Sequence, residues 1–440
     1  MPNRAATGQD RLMHKSVVVV LTLASLTQAQ TGPPLTLPDA VAIALKNHPQ
    51  ILAATNTAAA AGQRVIEAKS AYYPSLNADI TGVQSANQQD RIGAGSLNSS
   101  RLLTRNGDGV EVDQLITDLG RTKNLVANSR LQAQASDQST QAARYDVILH
   151  VNQAFFGVAE ANALIEVAQQ TVSARQTLAD QVNALYKAQL KSEIDLSFAQ
   201  VNVSEAKLIL IRAQDALKQS YADLARAMGE DNVVEYTLSA PGMPAAPPPD
   251  AQALIGEAVR NRPELRELKL RYEAAQKFEE AESDLKRPTV SMVGVAGAIP
   301  YLDEQPRVTP RGYEALAINV EIPIFNGHLF TARREAAHYE ALASDQRLRD
   351  VQQQVEHGVR AAWSSAATAY QRIPVTEELV GQAQLALKLA EGRYNLGLAS
   401  IVEITQAQLA LTQAQIEDVN ARYDYQSAYA ALQYTIGALR

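Results

Sequence analysis

A chain of 440 residues without a single cysteine has no disulfide, no thiolate metal site and no thiol nucleophile. Its formal net charge of −7, with no basic run, offers no electrostatic footprint for nucleic acid. Only 5% of residues are aromatic while alanine and glutamine fill long tracts, a composition of long helices packed through small side chains.

The first 29 residues read as an export signal. Arg4, Arg11 and Lys15 precede an apolar run over 16–26, and Thr27-Gln28-Ala29 supplies a small-residue cleavage site. Met13 is an equally good start. The run is too short to span a bilayer, and no later stretch reaches the roughly 18 apolar residues of a transmembrane helix. The exported chain is therefore expected to be secreted, periplasmic, or held in an outer membrane by strands.

Thr36-Leu37-Pro38-Asp39 predicts a capped helix start, and that helix ends at Asn47-His48-Pro49 because a residue before proline avoids helical geometry. A second helix is expected over 50–72, before Pro74. The pattern then changes to period two: Leu76, Ala78 and Ile80 alternate with Asn77, Asp79 and Thr81, and after a Gly/Ser/Asn-rich loop Val110 and Val112 alternate with Glu111 and Asp113. An uninterrupted helix follows over 121–186, with Ile148, Val151, Phe155, Val158, Ile165 and Val172 as a coiled-coil-like stripe. At 1.5 Å per residue it spans about 90–100 Å. The chain reverses at 186–195, where Ser192 and Asp195 form a capping box, and a return helix covers 193–228.

The same landmarks recur. Pro49 and Pro263, and Pro74 and Pro288, are each 214 apart, while Ser192 and Ser400, and Gly229 and Gly437, are each 208 apart. Two tandem repeats are expected, 30–239 and 250–440, joined by a Pro-rich connector over 240–249. In the second repeat Val290 and Met292, then Leu316, Ile318, Val320 and Ile322, mark a hairpin over about 288–325. A long helix follows over 331–394, bent at Pro374. Its reversal, 394–403, has Gly397 where the first repeat has Gln189, and Ser400 with Glu403 as a second capping box.

Each hairpin thus has one apolar and one polar or acidic face. That suits a half-buried sheet in a soluble domain, and equally the wall of a membrane barrel. Four strands on helices of this length cannot close a barrel, and an open edge cannot face lipid. Several chains would have to contribute, as eight strands from a dimer or twelve from a trimer.

Leu35-Thr36-Leu37-Pro38-Asp39-Ala40-Val41 with Asn47-His48-Pro49, Asp118-Leu119-Gly120-Arg121, Ile322-Pro323-Ile324-Phe325-Asn326-Gly327 and Tyr394-Asn395-Leu396-Gly397 occur in an order that resembles the outer-membrane efflux proteins of the TolC family, over about residues 35–437. The resemblance implies a mainly α fold with a small transmembrane β part: a tandem-repeat α-barrel tunnel in the periplasm, continued by a 12-stranded β-barrel completed by a homotrimer. It implies the passive exit duct of a tripartite efflux pump or type I secretion system. The partners it implies are a periplasmic adaptor, an inner-membrane pump and outer-membrane lipid.

The candidate sites follow. Tyr186, Leu190 and Ser192 on the first reversal, with Tyr394, Leu396, Gly397, Leu398 and Ser400 on the second, are expected as exposed adaptor-docking residues. Asp195 and Glu403 cap their helices and, by the resemblance, can ring the periplasmic entrance; Gln406 stands where a second acid would be. Asp79, Glu111, Asp113 and Glu321 are expected to face the barrel lumen, where they either bias it towards cations or keep it wet. No catalytic constellation, metal site or cofactor is expected, and the single Glu-x-x-His pair, Glu335 and His338, reads as solvated helix surface. A periplasmic coiled-coil adaptor or scaffold is the second reading of the same pattern.

Overall fold

The computed structural model describes residues 34–84, 105–239, 241–302 and 312–439. The expected export signal and most of the two expected hairpin loops lie outside them. In chain order the elements are β1 (Pro34–Thr36), α1 (Leu37–Asn47), α2 (Pro49–Ser70), β2 (Ser75–Val83), β3 (Arg105–Thr117), α3 (Arg121–Lys187) and α4 (Glu193–Met228). The order continues with β4 (Thr237–Ser239), α5 (Gln252–Asn261), α6 (Pro263–Asp284), β5 (Thr289–Leu302), β6 (Gly312–Glu321), α7 (Leu329–Asn395) and α8 (Ile401–Thr435).

Thr36 caps α1 reciprocally with Asp39: the Asp39 N–H donates to Thr36 Oγ1 at 3.3 Å and the Thr36 N–H to Asp39 Oδ2 at 3.4 Å. α1 then breaks at His48, which is extended (φ −65°, ψ 124°) ahead of Pro49. α3 and α7 are each 67 residues, about 100 Å long. α7 runs as one helix through Pro374.

Beside each long helix lie two shorter ones, α2 and α4 (22 and 36 residues) along α3, and α6 and α8 (22 and 35) along α7. They meet end to end at a glycine. Gly229 closes α4 at φ 72°, and a Cβ there would lie 2.8 Å from the His48 Cα at the start of α2. Gly437 repeats the arrangement after α8 at φ 71°, with Asn261 Cβ 3.1 Å from the equivalent position. Only a residue without Cβ takes both the left-handed backbone and the close approach.

The long helices are joined through small side chains. Ile148, Val151, Phe155 and Val158 of α3 are buried, as the periodicity predicts, and with Val147 they pack in one cluster with Leu224 and Met228 of α4. Beyond Val158 the buried row shifts from the expected Ile165 and Val172 to Ala161, Ala168, Arg175 and Val182. Alanine at a seven-residue spacing lets the backbones approach, and α7 does the same with Ala369, Thr376, Ala383 and Ala390. The Pro-rich connector lies along α7 and α8: Trp363 Nε1 donates to the Pro248 carbonyl at 2.7 Å, and the Tyr425 hydroxyl donates to the Ala245 carbonyl.

The hairpins form one antiparallel four-stranded sheet in the order β2-β3-β5-β6. Its edges, β2 and β6, have no further strand partner among the described residues. Register fixes its faces. One carries Leu76, Ala78, Val110, Val112, Met292, Leu316, Ile318 and Val320, and of these Leu76, Leu316, Ile318 and Val320 are well exposed. Among the described residues no helix is long and apolar enough to cross a membrane.

Candidate functional site

Two places carry the expected site residues: the helix reversals at one end of the molecule and the polar face of the sheet at the other.

The first reversal closes by two backbone bonds, Gln189 N–H to the Tyr186 carbonyl at 2.8 Å and Leu190 N–H to the Leu185 carbonyl at 2.9 Å. Gln189 adopts φ 61°, so it takes the left-handed conformation that Gly397 takes at φ 73°. Ser192 and Asp195 form a complete capping box, with Asp195 N–H to Ser192 Oγ at 3.3 Å and Ser192 N–H to Asp195 Oδ2 at 3.2 Å. The second reversal closes identically, through Gly397 N–H to Tyr394 and Leu398 N–H to Arg393.

Its expected capping box is only half made. Ser400 Oγ accepts from the Glu403 N–H at 3.4 Å, but the Glu403 carboxylate turns to Arg393, with Oε1 3.1 Å from Nε. The cause is one residue: 208 positions before Arg393 stands Leu185, so Asp195 has no such cation to draw it from its cap.

The second departure is Tyr394. Expected on the docking surface, it is 5% exposed, packed with Leu178, Val182, Val203, Ile401 and Ile404. Lys191 of the first reversal places Nζ 4.3 Å from its ring centroid. Its hydroxyl is buried without a hydrogen-bond partner among the described residues. Burial, then the nearby Asp195, raises its pKa. Tyr394 therefore joins the two reversals instead of presenting itself to a partner. Its equivalent Tyr186 is 38% exposed, and Leu190, Leu396 and Leu398 are 70%, 76% and 67% exposed, with Ser192, Gly397 and Ser400 beside them. These form a continuous apolar cap on the reversals.

At the other end, Asn77 faces Glu111 and Ser75 faces Asp113 across β2 and β3, while Thr289 faces Glu321 across β5 and β6. Asp79, Glu111, Asp113 and Glu321 thus share the face opposite the apolar one. The row Asp79–Gly109–Gly297–Tyr313 crosses all four strands. Tyr313 lies flat on the two glycines: a Cβ at either would sit 2.5 Å from its phenol. Asp79, Thr81, Glu111, Val295 and Tyr313 line a concavity of about 350 Å³. The alternation pointed to the acids but not to Tyr313, whose role depends on glycines in two other strands.

A third cluster lies in a charged run whose sequence has the pattern of solvated surface. Glu282 and Asp284 at the end of α6 are buried at 1% and 5% exposure. Arg333 of α7 grips Glu282 with Nε at 2.6 Å and Nη2 at 3.1 Å, and Arg121 of α3 lies at 3.9 Å. Asn124 donates to Asp284 at 3.0 Å, and Arg287 both pairs with Asp284 at 3.0 Å and donates to the Leu119 carbonyl at 2.5 Å. The network ties α3, α6 and α7 where helices hand over to strands. His338 pairs with Glu279 at 3.0 Å, and no group of acids and histidines among the described residues is arranged to hold a metal ion.

The family model for outer membrane efflux protein matches residues 40–230 and 254–438. Outer membrane protein TolC of Escherichia coli (strain K12) is 21% identical over 390 residues, covering 86% of this chain and 78% of that one. Outer membrane protein TolC of Vibrio cholerae serotype O1 is 23% identical over 406 residues, covering 90% and 89%. Among solved structures, the outer membrane protein VceC from Vibrio cholerae superposes with a TM-score of 0.76 at 18% identity, over 91% of this chain and 96% of that one.

Proposed function

Because the chain belongs to the outer membrane efflux protein family, we propose that three copies close one twelve-stranded barrel in the outer membrane, with their long helices continuing it as a periplasmic duct. The protein is an outer-membrane efflux channel, the exit duct of a tripartite pump. The observation that carries the trimer is the sheet with two open edges. Edges β2 and β6 expose unpaired backbone groups beside a face of exposed leucine, isoleucine and valine. In lipid those groups need partners, and β6 of one copy pairing with β2 of the next supplies them.

The helices carry a matching seam. Ile194, Phe198, Val201, Leu208 and Ile211 lie exposed along α4, and Val375, Leu379, Leu385 and Leu389 along α7. α4 and α7 lie on opposite flanks of the chain, so each stripe meets its complement on the next copy. The cap of Tyr186, Leu190, Leu396 and Leu398, with Ser192, Gly397 and Ser400, is the surface for the periplasmic adaptor, which connects the duct to an inner-membrane pump. Glu403, held by Arg393, and Asp195, held in its cap, line the entrance behind it. Asp79, Glu111, Asp113 and Glu321 face the lumen and favour cations in it.

Detergent-extracted outer membranes should yield a heat-sensitive trimer that conducts in planar bilayers. Phe198→Glu with Ile211→Glu should reduce it to monomer while leaving helix content unchanged. A wild-type protein that is soluble and monomeric would sink the proposal.

A further inference from the structure

The buried row of α3 runs Ala161, Ala168, Arg175, Val182, so a guanidinium stands where its neighbours in the repeat are alanine or valine. Arg175 is 3% exposed. Its Nη1 donates to the Asn202 carbonyl on α4 at 3.0 Å and lies 3.5 Å from the Glu205 carboxylate. Its buried Nε–H has no acceptor among the described residues. Gln408 on α8 is likewise buried at a core position, and its Oε1 has no donor among them.

Both side chains line one cavity of about 200 Å³ between α3, α7 and α8, together with Thr171, Leu387, Leu411 and Thr412. No acidic side chain lines it. Glu205 is not among the lining residues, and its carboxylate is 59% exposed, so water screens much of its charge. The cavity therefore presents one buried positive charge with an unused N–H, one unused acceptor, and walls of leucine, threonine and amide.

We propose that this cavity binds a small hydroxycarboxylate, one per chain, its carboxylate accepting from Arg175 Nε–H and its hydroxyl donating to Gln408 Oε1. A buried cation favours an anionic guest that is hydrogen-bonded to it over a neutral one. An anion with a donor of its own satisfies the second orphan as well, which a simple halide or acetate does not. The volume fits: at ~30 Å³ per water the cavity equals roughly six or seven waters, the size of a molecule of about six heavy atoms. The guest ties α3 of the first repeat to α8 of the second. The site depends on no assumption about what passes through the duct.

Equilibrium dialysis of the detergent-extracted protein against radiolabelled lactate tests this. Saturable binding at one equivalent per chain is expected, with acetate competing about tenfold less well for want of the hydroxyl. Arg175→Gln should abolish binding. If that variant fails to assemble, Ala174→Leu decides: Ala174 is an exposed lining residue, and leucine there fills the cavity while leaving the Arg175 bonds to α4 in place. Loss of binding in Ala174→Leu supports the site. No saturable lactate binding by the wild-type protein, or undiminished binding by Ala174→Leu, overturns it. Acetate competing as well as lactate overturns the role given to Gln408.

Discussion

Lys191 of the first reversal and Tyr394 of the second meet with Nζ 4.3 Å from the ring centroid, a cation–π contact that joins the two repeats at their tips. The Tyr394 ring is buried but Lys191 is partly exposed, and a contact of this kind contributes on the order of 1 kcal/mol. That is enough to bias the spacing of two helix pairs and too little to fix it. Lys191→Met, which keeps the stem and removes the charge, should therefore raise the mean single-channel conductance in planar bilayers with little change in melting temperature. Tyr394→Phe should melt at or above the wild-type temperature. It removes a buried hydroxyl that has no partner among the described residues, and leaving such a group unpaired costs about 1–3 kcal/mol. Tyr394→Ala should lose about 3–5 kcal/mol through the cavity it leaves.

The two reversals are built alike but not with equal ease. Gln189 holds φ 61°, a conformation that costs a residue with Cβ roughly 1 kcal/mol or more, whereas Gly397 takes φ 73° freely. Gln189→Gly should stabilise the protein by about 1 kcal/mol, and Gly397→Ala should destabilise it by a similar amount, since nothing lies within 4 Å of the Cβ it would add. Gly229→Ala has the same φ penalty plus the approach of the His48 backbone at 2.8 Å. Its loss in chemical denaturation should clearly exceed that of Gly397→Ala. Equal losses would show that the end-to-end contact of α4 with α2 yields without cost.

Glu282 gives a larger effect. It is 1% exposed and bound by both nitrogens of an Arg333 fork. Neutralising it leaves the Arg333 and Arg121 guanidiniums without their counter-charge. Breaking a fully buried pair costs about 3–5 kcal/mol, and because the two arginine side chains are 45% and 33% exposed, water screens part of that cost here. Glu282→Gln should lower the melting temperature of the extracted protein by several degrees. Because the network joins α3, α6 and α7 directly beneath the strands, the heat-sensitive trimer should also dissociate earlier.

These sites differ in how far the sequence reveals them. Helix ends could be read closely because their causes are local: a proline after His48, a serine before α4, a glycine after α8. The strand faces were legible for the same reason, since alternation is a property of neighbours. What escaped depends on residues far apart in the chain. Tyr186 and Tyr394 are equivalent positions of the repeat, yet one is exposed and the other buried, because only the second packs among Leu178, Val182 and Val203 of the other repeat. Glu403 leaves its cap for Arg393, ten residues earlier, and Asp195 keeps its cap because the first copy has Leu185 at that place. Arg175 and Glu282 both look like solvated charges in their own helices. Only the packing of α3 against α8, and of α6 against α7, puts them inside.

His48 makes the pH dependence of the fold a test of one cap. Its Nδ1 accepts from the Gln50 N–H at 3.2 Å, which only an unprotonated ring can do. Burial, then the nearby His150, lowers its pKa below the usual histidine value. His150, Asp223 and Arg226 line the same cavity, so the ring faces one acid and two basic groups. With the folded pKa below the unfolded one, the unfolded chain binds the extra proton first as pH drops. The contribution of His48 is therefore complete above about pH 6.5 and is lost as pH falls through the depressed folded value. The melting temperature should decline on acidification from about pH 7.5 to pH 5. His48→Asn keeps a side-chain acceptor for the Gln50 N–H without a titrating ring, and should flatten that decline. His150→Gln removes one of the two causes of the shift, so it should make the decline shallower without abolishing it. A decline of equal slope in all three proteins would assign the acid sensitivity to groups other than this pair.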